Sequence, residues 1–234
     1  EITLLNLLGK HEEAMHKLDE HLFHPWEGGE GKVPEQYQLA RTLLAQKAMS
    51  EGRWDDAVSL LEECLVYPHN LGEGKLYNAQ DNDIYYLLGE YEKGIVGPTT
   101  PAAALYYNDA KPDKIFYAGM CYLKLGQTAK AKSLFNKLIS FGKQHIFDDV
   151  KMDYFAVSLP DLQVWDGDLN EMNHIHCSFM LALGYKGLAL AESAPYIKDQ
   201  YNQQSAKHLA EAEKSDINHL GIAEFKIFQD HCNF

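Results

Sequence analysis

The chain has 234 residues, 46% hydrophobic and 12% aromatic, enough to bury a substantial core and far from a disordered composition. A formal net charge of -13 disfavours both the phosphate-neutralising surface that nucleic acids need and an anionic membrane leaflet. No apolar run approaches the roughly 20 residues of a membrane span. Cys64, Cys121, Cys177 and Cys232 lie far apart, as small buried hydrophobes of a reducing compartment would. These features predict a cytoplasmic protein with neither nucleic acid nor membrane as partner.

In chain order, Ile2 to Leu8 reads as the tail of a helix, and the absence of an initial Met suggests a C-terminal fragment of a longer protein. Periodicity then predicts helices near 10–23, 34–51, 53–66, 78–93, 101–110, 112–125, 127–142, 169–192, 196–214 and 218–230. Ala194-Pro195 should separate two of these, since Pro suits the first turn of a new helix. Residues 145–168 are not helical in period; Asp168, with Glu171 three residues on, should cap the helix that follows. No stretch has linker composition, so residues 1–234 are expected to form one continuous domain.

The segment Ile115-x-x-Ala118-Gly119-x-x-Tyr122, then Gly126, then Ala131-x-x-x-Phe135-x-x-Leu138, carries an internal repeat. Gly119 would let two helices approach, Gly126 would make the turn, and Ala131 would be the small contact on the returning helix. A second copy runs through Ala45, Gly52, Ala57, Leu61 and Cys64, and Gly9, Ala14 and Leu18 give half of another. The offset from Gly9 to Gly52 is 43 residues, and it persists through the loops, where Gly29-Glu30-Gly31-Lys32 recurs as Gly72-Glu73-Gly74-Lys75. Two degenerate copies place Gly89 and Gly184 at the position of Gly119, followed by Ala103 and by Ala206 with Ala210.

This pattern resembles the tetratricopeptide repeat, and the resemblance implies an all-α, TPR-like α-solenoid of antiparallel helix pairs in a right-handed superhelix. Three strings are more specific: His24 to Lys32, Ala79 to Asp83, and Asp153 to Asp161. They resemble the C-terminal region of large bacterial proteins that carry an N-terminal β-rich domain of unknown function. That domain is somewhat like sugar-mutarotase and glycoside-hydrolase accessory folds. The resemblance implies a helical tail that could dock its own upstream domain or help hold a carbohydrate.

Candidate chemistry is thin. His11 and His16 are five residues apart, which on a helix leaves them about 140° apart, and His174 and His176 diverge similarly. Asp166-Gly167-Asp168 lacks the rest of a calcium loop, and the Gly-Glu-Gly-Lys loops lack the Ser or Thr of a phosphate-binding loop. No catalytic residue, cofactor or metal is therefore expected. The expected activity is non-enzymatic binding of a protein or peptide, or of the upstream domain, through the concave face, with a carbohydrate as the alternative. The predicted binding set is Trp26, Glu30, Lys32, Glu73, Lys75, Gln80, Asp81, Asn82, Asp83, Tyr86, Phe116, Tyr154, Phe155 and Asp161. Leu39, Thr42, Gln46 and Met49 should share the concave face with Asp83 and Tyr86.

Overall fold

Four glycines in the left-handed region punctuate the chain: Gly9, Gly52, Gly89 and Gly126, with φ between +72° and +77°. Each ends a helix in the same way. The glycine N–H donates to the carbonyl three residues back, and the following N–H reaches five residues back, as in Lys10 to Leu5, Arg53 to Ala48, Glu90 to Tyr85 and Gln127 to Tyr122. This is the Schellman closure, which satisfies carbonyls that the helix end would leave bare. Five residues after each glycine stands a small buried residue, Ala14, Ala57, Gly94 or Ala131. In each case its N–H donates four residues back to open the returning helix.

A computed structural model describes residues 1–26, 29–76, 79–99, 101, 111–150, 168–216 and 219–231. Among the described residues the regular structure is helical, without strands. The helices are α1 (Ile2–Leu7), α2 (His11–Glu20), α3 (Lys32–Ser50), α4 (Trp54–Cys64), α5 (Asn82–Leu87), α6 (Tyr91–Gly94), α7 (Pro112–Lys124), α8 (Thr128–His145), α9 (Leu169–Leu190), α10 (Pro195–Ser215) and α11 (Leu220–His231). Sequence neighbours pack together, as expected of tetratricopeptide-like helix pairs. Two compact units emerge, Glu1–Gly94 with Leu220–Phe234, and Ile95–His219.

In the first unit, α3 is enclosed, with α1, α2, α4 and α11 all packing on it. Its buried positions include Tyr37, Ala40 and Leu44 on one side and Leu39, Thr42 and Gln46 on another. Ala45 meets Ala57 in a cluster with Ala48, Leu61, Cys64 and Ile84, so the small residues lie where the paired helices cross, as the repeat register requires. The predicted helix 78–93 is instead two short helices. Gly89 is a turn glycine rather than a helix-crossing residue, and Gly94 occupies the small-residue slot. Twelve residues before it, Asn82 sits in the other crossing slot and donates from Nδ2 to the Gly94 carbonyl at 2.9 Å.

In the second unit α7, α8, α9 and α10 pack in succession, with α7 also touching α9. The ring of Phe135 is completely buried, and a Cβ built on Gly119 or Gly187 would lie 2.4 Å or 2.2 Å from it. Two backbones thus close on one aromatic ring, and such burial of a Phe stabilises by about 1.5–3 kcal/mol. Gly184 likewise faces Ile139 across the α8–α9 crossing. On α10 the buried residues are Ser205, Leu209 and Ala212, whereas Ala206 and Ala210 are exposed. The repeat register expected there is therefore shifted by one residue, because α9 runs on to Leu190 and Pro195 restarts the next helix. Asp168 caps α9 as predicted, its Oδ1 accepting from the backbone N–H groups of Asn170 and Glu171. The predicted helix 101–110, apart from Pro101, lies outside the described residues.

Candidate functional site

The two Gly-Glu-Gly-Lys loops of the first unit share a sequence and touch one another, yet they do different work. In the first, Gly31 takes the left-handed conformation, φ +77°, and leads into α3. In the second it is the other glycine, Gly72, φ +76°, that turns left-handed, after the short 3-10 turn His69–Leu71. A Cβ on Gly72 would lie 2.6 Å from the carbonyl oxygen of Phe23. That approach is fixed by Phe23 N–H donating to Asn70 O at 2.8 Å, and by Asn70 Nδ2 donating to Leu18 O at 2.7 Å and His21 O at 2.9 Å. Asn70 thereby satisfies carbonyls at the C-terminus of α2.

The second loop is also tied to the helices beside it. Lys75 Nζ lies 2.8 Å from Asp81 Oδ2 and donates to Cys64 O at 3.1 Å. Gln38 Nε2 donates to the same carbonyl and to Asp81 Oδ1. Lys75 and Asp81, both predicted to bind a ligand, are thus a largely buried internal pair. Deprived of water, each is acceptable only because the other charge and the hydrogen bonds stay in place.

At the edge between the loops lies an open cleft of about 250 Å³ lined by Pro25, Trp26, Glu30 and Glu73. Trp26 is 49% exposed. Its ring rests on Gly29, where a Cβ would fall 1.9 Å from a ring carbon, so only glycine admits this placement. Glu73 Oε2 accepts from Gly31 N–H at 2.7 Å, which holds the second loop's acid beside the first loop's aromatic. Lys32 is exposed at the start of α3 and does not line the cleft.

The other predicted binding residues do not join this surface. Asn82, Asp83 and Tyr86 are buried within the first unit, because α5 is the inner helix of its pair. Gln80 is partly buried just before them. Phe116 has no exposed surface and packs against Phe135 and Tyr117, so it belongs to the core of the second unit. Tyr154, Phe155 and Asp161 lie outside the described residues. The helix face expected to be concave and open is closed at α3: Leu39, Thr42 and Gln46 are buried, and α11 packs on that helix. The periodic pattern could not show that α11 packs on α3, since that helix comes from the far end of the chain.

Arg41 was not singled out by sequence. Its guanidinium is stacked 3.7 Å above the Tyr37 ring, with Nη2 2.6 Å from Asp19 Oδ1 and Nε 2.8 Å from Glu63 Oε2. It braces α2, α3 and α4, and its only sequence signal is that both acids lie 22 residues away. Tyr37 is pushed up to about 12 by burial, as is the Cys177 thiol, so neither ionises near neutrality. Burial holds His208 and His219 below the usual histidine range, so their protonation in acid favours the unfolded chain. Among the described residues, no three His, Cys, Asp or Glu side chains gather as a metal site would require, and no helix is long and apolar enough to cross a membrane.

Residues 115–140 match the tetratricopeptide repeat family. This stretch is similar to a tetratricopeptide repeat. The matched segment spans most of α7 and α8 around the Gly126 turn, and the same turn geometry recurs at Gly9, Gly52 and Gly89. Together they support a tetratricopeptide-type protein. No solved structure matches the chain.

Proposed function

We propose that this chain is a non-enzymatic protein-interaction module whose docking point in the first unit is the loop edge at Trp26, not the helix face of α3. The observation that carries this reading is the half-exposed Trp26 ring in a formed cleft. Large aromatic rings are costly to leave in water, and they are common anchors of protein contacts. The ring lies against Gly29, the residue whose missing side chain leaves it room. The enclosure of α3 supports placing the contact at the loops. The occupant is a peptide segment of a partner protein or of an upstream domain of the same polypeptide.

Selection from a displayed random dodecapeptide library on the wild-type chain tests this. The expected result is a set of enriched peptides whose binding weakens at least tenfold with Trp26→Ala while the circular dichroism melt is unchanged. Peptides that bind Trp26→Ala and wild type equally would move the docking point elsewhere. A library that yields none would remove the interaction reading.

A further inference from the structure

We infer that the Trp26 cleft is a receptor for a single cationic side chain, an arginine by preference, presented by a basic segment of the partner. This rests on the interaction reading above and specifies the chemistry of that site.

Three features of the cleft point to a cation. Among the described residues its lining combines one exposed indole with two carboxylates, Glu30 and Glu73, and includes no basic side chain. A guanidinium can stack on the indole and still direct N–H groups at carboxylate oxygens in its own plane, which a compact ammonium does less well. Neither carboxylate has a cationic partner among the described residues. Glu73 uses Oε2 on the Gly31 N–H and keeps Oε1 for another donor. Elsewhere in the unit most basic side chains are already committed, Lys32 being exposed outside the cleft: Lys10 pairs with Glu13, Lys17 with Glu1, Arg41 with Asp19 and Glu63, and Lys47 with Glu12. Arg53 is likewise held by Glu51 and Asp56, Lys75 by Asp81, and Lys93 by Glu90.

Size narrows the occupant. At about 250 Å³ the cleft falls below the roughly 300–1,000 Å³ of sites that enclose drug-sized ligands. Its volume suits one inserted side chain. The chain's net charge of -13 draws basic segments towards it at low ionic strength. The site therefore differs from an acidic surface patch: the aromatic platform sets where the cation sits, and the two acids only select its charge.

The test is an NMR titration of ¹⁵N-labelled protein with Nα-acetyl-arginine amide, read at the Trp26 indole N–H and assigned by loss of that signal in Trp26→Phe. The expected result is a saturable shift that weakens at least fivefold in the Glu30→Gln, Glu73→Gln double variant. Gln at 73 retains an oxygen for the Gly31 N–H, and unchanged dispersion of the remaining amide signals reports that the fold is intact. Nα-acetyl-norleucine amide should give no saturable shift, and neither should maltotriose. An equal response to norleucine and arginine would make the cleft merely apolar, and a response to maltotriose alone would make it a sugar site. Silence towards all three overturns the proposal. Library peptides that bind through Trp26 but carry no basic residue would also overturn it, while leaving the interaction reading standing.

Discussion

The loop from Gly29 to Lys32 and the loop from Gly72 to Lys75 have the same four residues in the same order, 43 positions apart, and reach opposite ends. The first ends with its lysine exposed and an aromatic beside it half in water. The second ends with its lysine paired to Asp81 and its first glycine pressed against the Phe23 carbonyl. Even the left-handed residue differs, Gly31 in one and Gly72 in the other. Two glycines in each copy give the backbone a choice of where to turn, and the tertiary neighbours make it. For the second loop those neighbours are α2, through Asn70, and the residues around Asp81. A repeated motif in a helical array therefore need not repeat its surroundings: one copy is tied into the fold while the other leaves its lysine exposed.

The same substitution in both loops breaks this comparison most strongly. Gly72→Ala meets both a left-handed backbone and the Phe23 carbonyl, and should cost about 3 kcal/mol. Gly31→Ala meets open space and should cost only the conformational strain, about 1–2 kcal/mol. Urea unfolding of the two variants side by side measures the gap; equal losses would mean that the loops are packed alike. Lys75→Met leaves Asp81 without its cation in a site where the carboxylate is 8% exposed, and should cost about 2 kcal/mol. Asn70→Ala strips the donor from the Leu18 and His21 carbonyls and should cost about 1–2 kcal/mol by the same measurement. The smallest effect is expected from Trp26→Ala, within about 0.5 kcal/mol, because the ring is half in water.

Much of the helical framework was legible because the turn chemistry is local. Gly9, Gly52 and Gly126 announce themselves by the small residue five positions on, and the caps at Asp168 and Pro195 are fixed by their immediate neighbours. Gly89 was misread because Leu88-Gly89 imitates Ala118-Gly119, and because the small residue that follows at the right spacing is Gly94 rather than Ala. On the candidate site, Trp26, Glu30 and Glu73 were legible as an aromatic and two acids in related loops. That Lys75 and Asp81 neutralise one another, and that Asn82 bridges to Gly94, was not. Those partnerships depend on which backbone each loop adopts, and identical tetrapeptides gave no hint that they would differ. The enclosure of α3 by α11 was invisible for a related reason, since nothing in the periodicity of residues 32–50 records a helix that arrives from beyond residue 219.

The central claim is that one loop binds and its twin holds the fold together. A double comparison tests it most directly: the thermal midpoint and the affinity for a selected peptide, measured on Trp26→Ala and Lys75→Met. The account predicts that Trp26→Ala keeps the midpoint within about 2 °C and loses at least tenfold in affinity. Lys75→Met should lower the midpoint by about 5 °C or more and retain affinity at a temperature where it is folded. The reverse pattern, with Trp26→Ala unfolding the protein and Lys75→Met abolishing the peptide contact, would contradict it.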